Sequence, residues 1–350
     1  MVARKRNVVI TGGSAGLGRA AALAFASHGD NLALIARNPE RLESAAEECR
    51  TYGVRALPLS VDVSDAEKME AAAERIESEL GPVDVWVNSA MATVFSPISA
   101  ITPAEFKRAT EVTYLGQVYG TMAALKRMRS RNRGTIINVG SALAYRAIPL
   151  QSAYCGAKFA VRGFTESLRS EIMHDHLAIK LCMVHLPAMN TPQFDWALNK
   201  TGWRAQPVPP IYQPEVGARA IYFMSRHPRR NLWVGSPTVE AILATRVAPG
   251  LLDRYFSTKG YEGQLTTEHT TADDQSNLFI PVDGDQGAHG RFDSRASAVS
   301  FQALADRHRA ATAGVAAAAV LGSIWLARRL RRRSNGKARV RKSAYVRTRT

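Results

Sequence analysis

The chain has 350 residues, with 46 Lys and Arg against 30 Asp and Glu, a formal net charge of +16. Eleven of the positive charges fall in 328–350, which holds no acidic residue, leaving +5 over the 327 positions before it. That distribution argues against a uniformly basic nucleic-acid binder, and 46% hydrophobic with 22% charged residues excludes a disordered or polytopic membrane chain. Cys49, Cys155 and Cys182 are far apart with no CxxC spacing, so neither a disulfide framework nor a zinc site is expected. No other metal motif occurs: His174, His176 and His185 do not form a ligand set.

In chain order, Val8–Thr11 reads as a first strand, followed directly by Thr11-Gly12-Gly13-Ser14-Ala15-Gly16-Leu17-Gly18 and a helix over Gly18–His28. Glycines between a strand and a helix let the backbone approach a pyrophosphate, whose charge the helix N-terminus stabilises. Thr11, Gly12, Ser14, Gly16, Leu17 and Gly18 are therefore candidate phosphate-loop residues. The second strand, Leu32–Ala36, ends at Arg37 with no acidic residue to accept from a ribose 2′-hydroxyl, whereas Arg37 can pair with a 2′-phosphate. This predicts NADP(H) as cofactor.

Helices at Pro39–Tyr52 and Ala66–Leu80 alternate with strands at Arg55–Ser60, Val83–Val87, Thr135–Val139 and Ile179–Val184. The strands are apolar throughout, as in a parallel sheet covered on both faces, so the expected architecture is α/β with a doubly wound, Rossmann-like sheet. The fifth strand runs out at Gly140-Ser141, and Tyr154-Cys155-Gly156-Ala157-Lys158 follows. Tyr154 and Lys158, four apart on a helix, share a face. A nearby ammonium would favour the phenolate, making Tyr154 a general acid or base, while Ser141 at the sheet edge can orient a substrate oxygen.

Taken together, TGxxxGxG, Asp62-Val63, Asn88-Ser89-Ala90, Ser141 and YxxxK, in this order over roughly 7–235, resemble the short-chain dehydrogenase/reductase family of the classical type. The resemblance implies that Asp62 and Val63 contact adenine, that Asn88 and Ala90 flank the cofactor, and that Lys158 also bonds the nicotinamide ribose. Leu186–Thr191 resembles the family's Pro-Gly…Thr segment, which makes Pro187 and Thr191 cofactor-binding residues, with the Met189 backbone and the Thr191 hydroxyl near the carboxamide. Thr113 falls where the family has a proton-relay asparagine, and Met91 replaces a family glycine. It further implies a small-molecule ketone or secondary alcohol as substrate and a homo-oligomer. The aromatic stretch Phe194–Tyr212, with Trp196 and Trp203, reads as a lid over a bulky apolar substrate; its duller alternative is packing onto the body or a partner subunit. A non-catalytic dinucleotide-binding sensor on the same fold is the rival reading.

Domain boundaries are expected at 1–255 for the enzyme body and 256–303 for a polar loop or linker. An apolar helix would follow over 304–330, with a disordered basic tail over 331–350. Ala310–Ala327 carries no charge and at helical rise would span about 27 Å, close to a bilayer core. It predicts membrane contact through 310–327 and the basic tail, with the catalytic domain cytoplasmic.

Overall fold

A computed structural model describes residues 4–271, 274–309, 312 and 314. Residues 1–303 form one compact unit and 304–350 a second. Seven strands build the central sheet: β1 (Asn7–Thr11), β2 (Asn31–Ala36), β3 (Ala56–Ser60), β4 (Val85–Asn88), β5 (Thr135–Ser141), β6 (Lys180–Leu186) and β7 (Asn231–Trp233). Their spatial order is β3-β2-β1-β4-β5-β6-β7 and every pairing is parallel.

The apolar runs are explained by two separate cores. Along β1 and β2, Val8, Ile10, Leu32 and Leu34 enter one core, while Val9, Ala33 and Ile35 enter the other. The side-chain period of two sends successive residues to opposite faces, so a strand covered on both sides must be apolar at every position. Helices α1 (Gly16–Ala26), α2 (Pro39–Arg50) and α7 (Pro214–Arg226) close the first face. Helices α3 (Ala66–Leu80), α4 (Pro103–Thr110), α5 (Gly116–Arg131) and α6 (Ser152–His174) close the second. Between α4 and α5 the chain makes a π-helical turn, Glu111–Leu115.

Helix starts follow local chemistry. The Asn38 side chain accepts from the Arg41 amide at 2.8 Å and the Asp65 side chain from the Lys68 amide at 3.0 Å, while Thr102 and Glu105 form a reciprocal capping box. Helix α1 differs, because Ala15 precedes it and offers no side-chain acceptor to its first turn. That uncapped N-terminus lies where the strand order reverses between β1 and β4, the place where open parallel sheets bind ligands.

The stretch 256–303, expected as a polar loop or linker, stays within the first unit and combines regular elements with irregular chain. Helices α8 (Ser236–Val247) and α9 (Pro249–Glu262) are followed by a strand, Leu265–His269, antiparallel to Trp203–Ala205. Residues 277–292 then run back over the body as irregular chain and stay within the first unit. Such a segment has no hydrophobic period to detect, because arginine side chains and backbone amides, rather than a ladder, satisfy its carbonyls. The final helix with described residues is α10 (Phe301–Arg307). Apart from Thr312 and Gly314, the apolar segment 310–327 and the whole basic tail lie outside the described residues. Among the described residues no helix is long and apolar enough to cross a membrane.

Candidate active site

A cavity of about 400 Å³ opens beside the C-terminal ends of the central strands. The glycine loop, Arg37, Asp62, Val63 and Ala90 line it together with Ser141, Tyr154, Lys158, Pro187 and Thr191, the last lying against Gly16. Residues separated by well over a hundred positions thus meet in one groove.

The loop's glycines are required by close approach. Gly12 has a φ of 72°, and a Cβ there would lie 2.9 Å from the Ala90 Cα. At Gly18 a Cβ would lie 2.0 Å from the Gly12 carbonyl oxygen, which is backbone and cannot yield. Thr11 itself is buried, and its hydroxyl accepts from the Ser89 and Ala90 amides at 3.0 and 3.2 Å, fixing the turn that Gly12 packs against. Ser14, Gly16, Leu17 and Gly18 remain on the cavity wall. With an uncapped helix N-terminus and no room for side chains in the loop, the cradle fits a dinucleotide pyrophosphate.

At the adenosine end, burial and the neighbouring Arg108 lower the Arg37 pKa, and Arg41 adds to this, against an opposing pull from Asp62. Arg108 is paired with Asp62, and Asp283 and Asp285 act on Arg41, so the charge left to meet an incoming anion is chiefly that of Arg37. Asp62 lines the cavity, but its carboxylate is already bonded to Arg108, to the Ser64 amide at 3.0 Å and to the Ser64 hydroxyl at 2.7 Å. Burial acts to raise its pKa, yet those bonds hold it below the usual carboxylate value.

Asn88 does not face the cavity. It is fully buried, accepts from the Trp86 indole at 2.9 Å, and donates to Thr121 and Asn138 at 2.9 Å each, so it ties the sheet to α5. Thr113 is also buried away from the cavity, within the π-helical turn. Its hydroxyl donates to the Ala92 carbonyl at 2.7 Å and accepts from the Ala92 amide at 2.9 Å. It holds the turn after β4 and has little capacity left for a relay water. Asn88 and Thr113 thus act on the site through the backbone they fix.

Ser141 and Lys158 are buried, and Tyr154 is half-buried between them. Ser141 ends β5, and its oxygen accepts from the Leu143 amide at 3.1 Å, which orients the hydroxyl and leaves its proton available. Tyr154 and Lys158 occupy successive turns of α6, with the Lys158 Nζ 5.5 Å from the Tyr154 ring centre. Lys158 is buried and donates to the Val139 carbonyl at 2.7 Å; burial pushes its pKa down to about 7. Burial raises the Tyr154 pKa well above that of a free phenol, and a hydrogen bond with Ser141 offsets only part of that. The expected lowering by the Lys158 ammonium is not found: burial raises the phenol, and the group that lowers it is Ser141. The site thus presents a neutral phenol as proton donor, held beside a lysine poised near neutrality. His185 is a buried core histidine, 3.3 Å from the Tyr145 hydroxyl, and burial lowers its pKa to about 4.

Of the lid aromatics, Phe194 and Trp196 line the cavity. Tyr212 packs into the body, as the packing alternative has it, whereas Trp203 is exposed and stacks on His269 at 3.8 Å. Several further wall residues carry no periodic or motif signal in the sequence: Arg146, Gln151, Phe256, Asn277 and Pro281. Arg41 is the exception, since its place in the first turn of α2, just after Arg37, could have marked it.

The sequence profile of the short chain dehydrogenase family matches residues 6–200. The uncharacterized oxidoreductase YxnA of Bacillus subtilis is 33% identical over 288 residues, covering 81% of this chain and 80% of that one. The 3-dehydrosphinganine reductase of Danio rerio is 33% identical over 193 residues, 54% of this chain and 58% of that protein. Estradiol 17-beta-dehydrogenase 11 of Mus musculus is 34% identical over 165 residues, 47% of this chain and 55% of that one. The chain thus spans just over half the length of these last two. Among solved structures, the alcohol dehydrogenase of Thermococcus sibiricus complexed with 5-hydroxy-NADP is 26% identical with a TM-score of 0.56, covering 66% of this chain and 96% of that one.

Proposed function

The chain belongs to the short-chain dehydrogenase/reductase family, and from that premise we propose that it is an NADP(H)-dependent oxidoreductase interconverting a ketone and a secondary alcohol on a bulky, apolar substrate. The observation that carries this reading is the convergence of Ser141, Tyr154 and Lys158 on the same cavity as the glycine cradle. A nicotinamide, when bound, supplies or accepts the hydride. Ser141 donates to the substrate oxygen as negative charge grows there. Tyr154, a neutral phenol, gives its proton to that oxygen in reduction and takes it back in oxidation. Lys158 changes charge near pH 7 and so can return a proton to Tyr154 after each turnover.

Arg37 just after β2, with Arg41 in the first turn of α2, supports the 2′-phosphate preference. Substrate class is supported by the lining residues Met91, Leu143, Ile148, Val208, Phe194 and Phe256, and by two relatives named for a sphinganine ketone and an estradiol alcohol. A panel of long-chain and polycyclic ketones, followed by NADPH consumption with full-length protein in detergent, tests the reading. Tight NADPH binding without turnover on any of them would instead favour the sensor, which the commitment of the Thr113 hydroxyl to Ala92 also favours. Membrane attachment through 310–327 and the basic tail rests on hydropathy and charge, and is tested by fractionating cells that express the chain with and without 304–350.

A further inference from the structure

The segment Asn277–Gly287 lies across the groups expected to hold the dinucleotide. The Arg37 guanidinium donates to the carbonyls of Asn277, Leu278 and Phe279, the last at 2.9 Å. Arg41 donates to the carbonyls of Val282 at 2.6 Å and Gly284 at 3.0 Å. The Gly16 amide, at the N-terminus of α1, donates to the Gly287 carbonyl at 2.9 Å. Leu278 is fully buried in the same apolar cluster as Val63, Ala90 and Val112, and Arg108 also donates to its carbonyl, at 3.1 Å. Two anchors hold the segment. One is the Leu278 side chain, and the other is Asp285, which accepts from Arg19 at 2.6 and 2.9 Å and from the Ser44 hydroxyl at 2.5 Å.

We propose that residues 277–287 form an intramolecular strap that occupies the adenosine end of the cofactor groove and must be displaced for a dinucleotide to bind. The inference rests on the reading of the groove as a dinucleotide site. Carbonyl oxygens satisfy the hydrogen-bonding capacity of Arg37 but bring it no charge; the strap's own carboxylates, Asp283 and Asp285, act on Arg41 and Arg19, so the charge of Arg37 persists beneath the strap. A phosphate-bearing ligand offers the same guanidiniums charge-assisted bonds, roughly twice as strong as neutral ones, and so can exchange with the carbonyls. The strap then lowers the affinity of every dinucleotide that needs the open groove by the same factor, the fraction of molecules with the strap released.

The test combines two measurements on the full chain. Hydrogen exchange, with and without saturating NADPH, reads the strap directly: the amides of 277–287 lose protection on binding. Fluorescence titration of NADPH and NADH against wild type, Asp285→Asn and Leu278→Ser reads the energetics. Each substitution tightens both dinucleotides by a common factor of about 5 to 10, leaving their ratio unchanged. Increased protection of 277–287 with NADPH, or weaker binding of both dinucleotides to the variants, would overturn the strap, since either makes the segment a wall of the bound site. Binding with unchanged protection and unchanged affinities would also overturn it while leaving the cofactor reading intact. If neither dinucleotide binds to wild type or variants, the cofactor reading fails and the strap fails with it.

Discussion

Arg37→Ala separates the two nicotinamide cofactors in a way that can be worked out beforehand. A hydrogen bond to a charged group contributes about 1.5–3 kcal/mol. Arg37 presents two terminal nitrogens towards the groove, and Arg41 remains nearby to take up part of the phosphate charge, so the net loss for NADPH is set at about 2–3 kcal/mol. At about 1.4 kcal/mol per decade, that is roughly a 30- to 150-fold fall in affinity. NADH carries no 2′-phosphate and loses none of this. Removal of the guanidinium also frees three strap carbonyls, those of 277, 278 and 279, so NADH binding holds or tightens. Equilibrium titration of both cofactors, with thermal unfolding as a control for folding, is the assay. A parallel fall for NADPH and NADH would refute the reasoning, because Arg37 would then be shaping the groove rather than reading the phosphate.

Gly18→Ala places a methyl 2.0 Å from the Gly12 carbonyl oxygen; it should destabilise the fold by at least about 1–3 kcal/mol in denaturant unfolding and weaken dinucleotide binding more than tenfold. Lys158 should give the protein a pH-dependent stability. Burial lowers its pKa from 10.5 to about 7, so the unfolded chain takes up the proton first as pH falls. Relative to Lys158→Met, wild type therefore gains stability as pH rises through the interval from about 7 to 10.5, and a flat difference in paired unfolding curves would contradict this. Burial pushes the thiols of Cys49 up to about 12 and of Cys155 and Cys182 up to about 11, so native protein should react slowly with a thiol reagent and release three equivalents only on unfolding. Fast stoichiometric labelling of folded protein would show one of them exposed.

The sheet was legible because burial on both faces forces continuous apolar strands, and β1 to β6 lie within a residue or two of the runs that predict them. Tyr154 and Lys158 were legible for a related reason, since helical spacing alone puts them on one face. Asn88 and Thr113 were harder. Their motif positions are as expected, but which way a buried polar side chain turns depends on partners such as Asn138 and Ala92, and these come from elsewhere in the chain. The strap was not legible at all. Its carbonyls are held by Arg37, Arg41 and Arg108, some 170 to 240 positions away, and no local pattern encodes such pairings. The Tyr154 phenol shows the same limit in electrostatics, because neighbouring charge can be guessed from spacing whereas desolvation depends on the packed cavity.

The central claim is that Tyr154 transfers the proton in a hydride-transfer reaction run by this cavity. Single-turnover reduction of an accepted ketone by bound NADPH, compared between wild type and Tyr154→Phe, tests it most directly. The account predicts a fall of about 10²- to 10⁴-fold in the hydride-transfer rate with NADPH affinity unchanged. An unchanged rate in the variant would contradict it.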